Sequence, residues 1–488
     1  MNIINKHIIN KVFLEVNTNS KKVAYDFKDN LGLFLKQEIF PFIEAYFSDV
    51  ESKLITDIVQ IPKLNLELTV SSKNNFNELK HTIKQQFITE IKKTLAIATT
   101  ESKETVFISN KEDRLKTFFY FLEKGLLPWN SEDKNQNIFR TEEIHKIVKI
   151  NQFTTLFQHK IKSKIVQKRL INQFEINEIE VILKHGFKND SSKIKILNVE
   201  LLSEIKKLNN SVQKLIWQDL IDYFITNDEL LLLENLGNYL DGDNLLSKLD
   251  EVVIKVIITN LFENFQNGRI KSQNSKKELF ENKRKSKLKI DSKNNFNEDN
   301  KKLRDDFQNV EISKKKKNIT EIDKKAFYYV DNAGLILLHP FLLQFFKNCK
   351  LLDKDHKIIN IELAIHVLHY VATKREKQFE NNLVFEKFLC GVPINQSINR
   401  NVVIPKRIKE QVEDLLNSVI KNWEVLKNSS TELLCNEFLQ RSGKLSFKGD
   451  NPKITIERKT QDILIDKLPW NIGICKLPWL DKLTFTNW

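Results

Sequence analysis

Glycine and proline are scarce in this chain of 488 residues, with 11 and 9 copies. Few positions therefore interrupt regular structure. Neither GxGxxG nor GxxxxGK[ST] occurs, which removes the glycine-rich phosphate loops of nucleotide chemistry. The four cysteines, Cys349, Cys390, Cys435 and Cys475, all lie in the last third and none forms a CxxC pair. Zinc-ribbon and thioredoxin-like readings have no support, and the thiols are expected to be small buried hydrophobes in a reducing compartment. No run of about 18 apolar residues occurs, so no membrane insertion is expected. The stretch from Met1 to His7 lacks the apolar segment of a secretory signal, which gives an expected cytoplasmic localisation.

Large apolar side chains are plentiful by contrast. Phenylalanine occurs 33 times and hydrophobic residues make up 41% of the chain, a composition that reads as mainly α. The net charge of +14 is unevenly placed. Between Asn267 and Lys325 there are 19 Lys/Arg against 10 Asp/Glu, so this stretch carries +9 of it. The remainder has no dominant basic footprint, and no specific nucleic-acid partner is expected.

The expected organisation is multi-domain, beginning with a small α/β module of βαβ type over 1–98. Val12, Leu14 and Val16 alternate as a strand does, and Ser20 is placed to cap the helix that follows. That helix runs through Val23, Phe27, Leu31, Leu35 and Ile39 to Tyr46, with Pro41 expected to kink or split it. Leu64, Leu66, Leu68 and Val70 form a second alternating run. An amphipathic helix through Phe76, Ile83, Phe87, Ile91 and Leu95 would cover the sheet. Residues 100–111 read as a linker. A helical middle region over 112–266 follows, in which Gly125 is placed as a helix C-cap. Further helices are expected near 193–208, 211–225, 228–240 and 243–265.

Residues 267–325 are rich in Lys, Asn, Ser and Asp and include Lys314 to Lys317. Their composition predicts a disordered basic linker whose full extension is roughly 200 Å. Phe280, Phe296 and Phe307 are too sparse in it for a base-stacking platform. The last part, 326–488, is expected to be α-rich, with helices near 360–373, 383–390, 406–423 and 430–440. A hairpin follows over Lys444–Lys448 and Lys453–Arg458.

The best catalytic candidate is the arrangement of Glu362, His366 and His369. Spacings of four and three place them on one helical face, as metal ligation requires. A metal-dependent enzyme is the weaker reading, because Ile361, Ala364, Ile365, Leu368 and Val371 make the same helix a core element. His339 reads as a loop-bonding histidine and no cysteine has a visible base. No catalytic residue, cofactor or metal is therefore assigned. The tripeptide Leu-Pro-Trp occurs at Leu127–Trp129, Leu468–Trp470 and Leu477–Trp479, and the sequence closes on Trp488. Aromatics of this size serve a core or a partner's surface, so Trp129, Trp470, Trp479 and Trp488 are the candidate partner-binding residues.

Several stretches resemble the tape measure proteins of contractile injection systems, the phage-tail-like particles of bacteria. They are His7–Glu15, Ile61–Leu68, Phe121–Trp129, Gly334–Phe341, His366–Tyr370, Leu389–Pro393, Trp423–Ser429, Glu437–Gly443 and the paired Leu-Pro-Trp. The resemblance implies a non-enzymatic structural protein that determines inner-tube and sheath length during particle assembly. Implied partners are the inner tube, the hub/spike or baseplate proteins and the tube terminator. The alternative is an assembly scaffold or chaperone that is not itself the ruler. A literal ruler of 488 helical residues would span about 730 Å at 1.5 Å per residue, yet no sustained heptad pattern is present.

Overall fold

Apolar residues at helical spacing dominate the sequence, and the structure, a computed structural model, is mostly helical with two small sheets among its described residues. It describes residues 7–9, 12, 15, 21–51, 57–61, 63–69, 76–98, 106–131, 137–241, 246–268, 327–447, 449 and 451–488. The chain divides into two compact units. One is Met1–Tyr120 with Leu127–Phe153, and the other is Phe121–Leu126 with Thr154–Trp488.

In the first unit Pro41 acts one turn before itself. Helix Lys21–Phe34 passes through a π-turn, Leu35–Ile39, into helix Phe40–Glu51. Proline has no N–H to donate and its ring crowds the carbonyl four residues back, so the preceding turn widens rather than breaks. Phe34 and Ile39 pack with Leu79 and Ile83 of helix Phe76–Ala98.

The expected first strand, Val12–Val16, lies largely outside the described residues. Leu64, Leu66 and Leu68 keep their alternation as burial, half-buried between exposed Lys63, Asn65, Glu67 and Thr69, but they form no strand. Leu66 and Leu68 lie against the core just described. The paired strands of this unit are β1, Asp57–Gln60, and β2, Val106–Ser109, which run antiparallel with Ile58 opposite Ile108. The second of these falls inside the stretch expected to be a linker.

The second unit opens with a succession of short helices. The expected helix near 193–208 is two, Ser191–Ile196 and Val199–Lys207. Asn198 separates them because its side chain accepts the Leu201 N–H as an N-cap. Helices Asn210–Thr226, Glu229–Asp241 and Lys248–Gly268 complete the middle region. The Lys-rich stretch expected as a tether lies, beyond Gly268, outside the described residues.

From Phe327 onward a five-stranded sheet and its covering helices share one core. Strands β3 (Phe327–Val330), β4 (Gly443–Ser446), β5 (Lys453–Ile456), β6 (Ile474–Cys475) and β7 (Thr484–Asn487) lie in the order β3-β4-β5-β7-β6. The expected hairpin is β4–β5, with Leu445 opposite Ile454. The final strand β7 returns parallel to β5, which carries the tryptophan-rich end across the domain. Helices His339–Asn348, Ile361–Thr373, Val384–Leu389 and Lys406–Asn422 bury their apolar faces against Val330, Leu445 and Ile454.

Candidate functional site

Three charged side chains with no solvent exposure meet inside the second unit. Arg169 comes from helix Lys164–Gln173, Glu380 from a single 3-10 turn, and Lys387 from helix Val384–Leu389. Arg169 Nε donates to Glu380 Oε1 at 2.7 Å, and Lys387 Nζ lies 3.4 Å from the same oxygen. Two cations thus share one carboxylate. The remaining donors are met by main-chain oxygens. Arg169 Nη1 and Nη2 donate to Leu122 O and Asn395 O, each at 2.6 Å. Lys387 Nζ donates to Ile394 O and Gln396 O, at 3.1 and 2.8 Å. Burial pulls the Lys387 ammonium below its usual range, and the Glu380 charge opposes that pull.

The surrounding contacts clamp one irregular segment, 394–401, along helix Lys164–Gln173. Gln173 Nε2 donates to Ile398 O and Gln173 Oε1 accepts the Glu380 N–H. Asn172 Nδ2 donates to Ser397 Oγ at 3.2 Å, and Arg400 N donates to Asn172 O at 2.9 Å. Phe379 fills the apolar end of this joint between Phe121 and Phe174, with the Arg400 guanidinium over its ring at 3.8 Å.

Sequence reasoning missed this network. A signal was present: Glu386 and Lys387 interrupt an otherwise apolar run from Leu383 to Val392, and every residue of helix Val384–Leu389 is buried. Arg169 follows Val166 by three positions, on the inward face of its helix.

Of the residues singled out from the sequence, Glu362 and His366 both bond Asn399, while His369 pairs with Glu386. Glu362 accepts the Asn399 N–H at 2.8 Å. Both ring nitrogens of His366 face carbonyl oxygens, Glu376 O and Asn399 O, and burial holds its pKa below the usual histidine value. His369 Nδ1 meets Glu386 Oε1 at 2.9 Å, and that oxygen also accepts from Asn332 Nδ2. Among the described residues no group of three His, Cys, Asp or Glu is placed to hold a metal ion. His339 Nδ1 faces Ile336 O, which belongs not to a loop but to the 3-10 helix Ala333–Leu338 just before its own helix. All four thiols are free and buried, and burial pushes them up, to about 12 at Cys349 and about 11 at Cys435 and Cys475.

Three of the four candidate tryptophans are docked by both ring and indole N–H. Trp470 packs edge-on against Phe341 and donates to Leu337 O at 3.0 Å. Trp479 stacks on Phe346 and donates to Leu389 O at 2.7 Å. Trp488 donates to Asp462 Oδ2, whose other oxygen accepts from buried Arg441. Trp129, in the first unit, is 51% exposed.

Three of the C-terminal stretches, Gly334–Phe341, Trp423–Ser429 and Glu437–Gly443, meet at Phe438. Gly334 lies so close to Phe438 that an added Cβ would meet its carbonyl oxygen at 1.7 Å. Trp423 packs on Phe438 and donates to Leu464 O. No helix among the described residues is long and apolar enough to cross a membrane.

Compared with known proteins, residues 6–488 match the family described as contractile injection system tape measure protein. No curated protein and no solved structure matches the chain.

Proposed function

The chain belongs to the family of contractile injection system tape measure proteins, and from that premise we propose that it sets the length of the inner tube, and so of the contractile sheath, while the particle is built. What supports this reading is the extent of the likeness. It spans residues 6–488, so both compact units and the stretch between 268 and 327 fall within it. The family is structural, and the buried polar clusters here hold helices and loops together.

In this reading the protein acts in the cytoplasm, with the inner tube, the hub/spike or baseplate and the tube terminator as its partners. The working parts would be the module over 1–98, the helical region over 112–266, the linker over 267–325 and the C-terminal domain over 326–488. Trp129, half in solvent, is the tryptophan best placed to meet a partner. Trp470, Trp479 and Trp488 would serve by holding the C-terminal segment in shape.

A second reading, an assembly scaffold that is not itself the ruler, is favoured by one observation. The second unit is closed around a fully buried charge network. A folded body is far shorter than the same residues as one helix.

The two separate on one experiment. Residues 267–325 are lengthened and shortened in frame and the tubes are measured by electron microscopy. Tube length that follows chain length supports the ruler, whereas normal numbers of tubes at constant length support the scaffold. Normal particles in a strain lacking the chain would overturn both.

A further inference from the structure

The joint around Arg169, Glu380 and Lys387 has the composition of a contact made to open. Its partners lie far apart in sequence, 211 residues between Arg169 and Glu380. Apolar packing across it is limited: the buried cluster beyond Phe327 runs from Val330 to Leu477, with Leu126 the upstream residue among the partly buried ones packed on it, and Phe379 lies between Phe121 and Phe174. What crosses the joint is mostly polar: Arg169 and Gln173 donate to Asn395 O and Ile398 O, Asn172 to Ser397 Oγ, and Arg400 to Gln173 O. At the exposed edge Asn401 Nδ2 donates to Glu175 Oε1 at 3.2 Å.

A joint chosen for permanence would be apolar, because burying ions forfeits hydration that their mutual attraction barely repays. A polar joint has the complementary property. Once opened, its ions and peptide groups are satisfied by water, and the aromatic surface uncovered is that of Phe379 with its partners Phe121 and Phe174. The clamped segment is anchored on the far side, by Ile394 and Ile398 in the core beyond Phe327 and by Glu362 and His366 on Asn399, so it would leave helix Lys164–Gln173 together with that core.

We propose that this joint is a latch, closed in the free protein and opened when the chain is drawn out during particle assembly. The inference rests on the tape-measure reading, since a ruler must become longer than its folded units. Arg169, Glu380 and Lys387 form its lock, and the contacts of segment 394–401 with helix Lys164–Gln173 are the part that releases.

The test is a covalent lock placed in the full chain. Asn172→Cys with Ser397→Cys joins two side chains that already meet at 3.2 Å. Particles are built in a host with a reducing cytoplasm and in one with an oxidising cytoplasm, beside the unmodified protein in both. The disulfide is verified by non-reducing electrophoresis. The expected result is particles at the unmodified level in the reducing host and loss to the level of the deletion strain in the oxidising host, where the unmodified protein still works. Glu175→Cys with Asn401→Cys locks the exposed edge and replaces the first pair if that pair folds poorly or stays reduced. Verified locked protein that gives particles of normal number and length overturns the latch and leaves the tape-measure reading standing. Normal particles without the chain overturn that reading, and the latch with it.

Discussion

Gly125 and Glu380 meet so closely that a Cβ on Gly125 would lie 1.7 Å from Glu380 Oε1. Gly125 closes helix Asn110–Lys124 with a φ of 71°, and its N–H donates to Phe121 O at 2.7 Å. Two constraints therefore coincide at one residue, a left-handed backbone and a missing side chain. Gly125→Ala meets both. The left-handed conformation costs about 1 kcal/mol. Displacing the buried carboxylate from its cations brings the total to about 4 kcal/mol. Denaturant unfolding of the purified chain measures it, and a loss under about 1 kcal/mol would show that the corner is looser than the geometry states.

At Glu380 itself, charge and shape can be separated. Glu380→Leu leaves Arg169 and Lys387 buried with no counter-charge and is expected to cost about 3–5 kcal/mol. Glu380→Gln retains an acceptor for Arg169 Nε and is expected to cost less. Equal losses for the two variants would assign the effect to packing rather than to the ion pairs.

Legibility in the sequence followed the range of the interaction. Periodicity located helices such as Ile361–Thr373 and Lys406–Asn422 to within about a residue, because it is set by neighbours three and four positions away. Alternation at Leu64, Leu66 and Leu68 reported which side chains turn inward. It said nothing of hydrogen-bonded partners, and the pairing went to Asp57–Gln60 and Val106–Ser109. The tryptophans announced packing but not their seats, since Leu337 and Leu389 lie 133 and 90 residues from the indoles they accept. Arg169 was hidden most deeply. A basic residue on an amphipathic helix reads as solvent-facing until its carboxylate, 211 residues away, is brought beside it.

Asp219 makes the helical middle pH-sensitive. Its carboxylate, 7% exposed, accepts from Tyr239 Oη at 2.7 Å and Asn235 Nδ2 at 3.1 Å. Burial raises its pKa to about 6, a rise that Asp222 adds to and the two hydrogen bonds and Lys164 oppose. Below pH about 3 the group is protonated whether the chain is folded or not. As pH rises towards 6 the unfolded chain ionises first, so stability falls by about 3 kcal/mol and stays lower above that. Asp219→Asn should flatten this part of the stability–pH curve, read from urea midpoints at a series of pH values. An unchanged slope between pH 4 and 6 would place the titration elsewhere.

Trp479 and Trp129 should fail in different ways. Trp479 stacks on Phe346 with ring centroids 5.0 Å apart and donates to Leu389 O. Trp479→Ala therefore removes packing and orphans a carbonyl, and is expected to cost about 3 kcal/mol. Trp129 sits in a turn closed by Ser131 N–H to Pro128 O, with half its surface in water. Truncating it removes little from the fold, so Trp129→Ala should change stability by less than about 0.5 kcal/mol. If Trp129 meets a partner in the particle, the same variant should lower particle yield while the purified protein melts normally. Trp479→Phe, which keeps a ring on Phe346 but loses the N–H and part of the ring system, should recover part of the stability lost in Trp479→Ala. Normal yield with Trp129→Ala would move the partner surface away from that turn, while a lowered melting temperature would make Trp129 a packing residue like the other three.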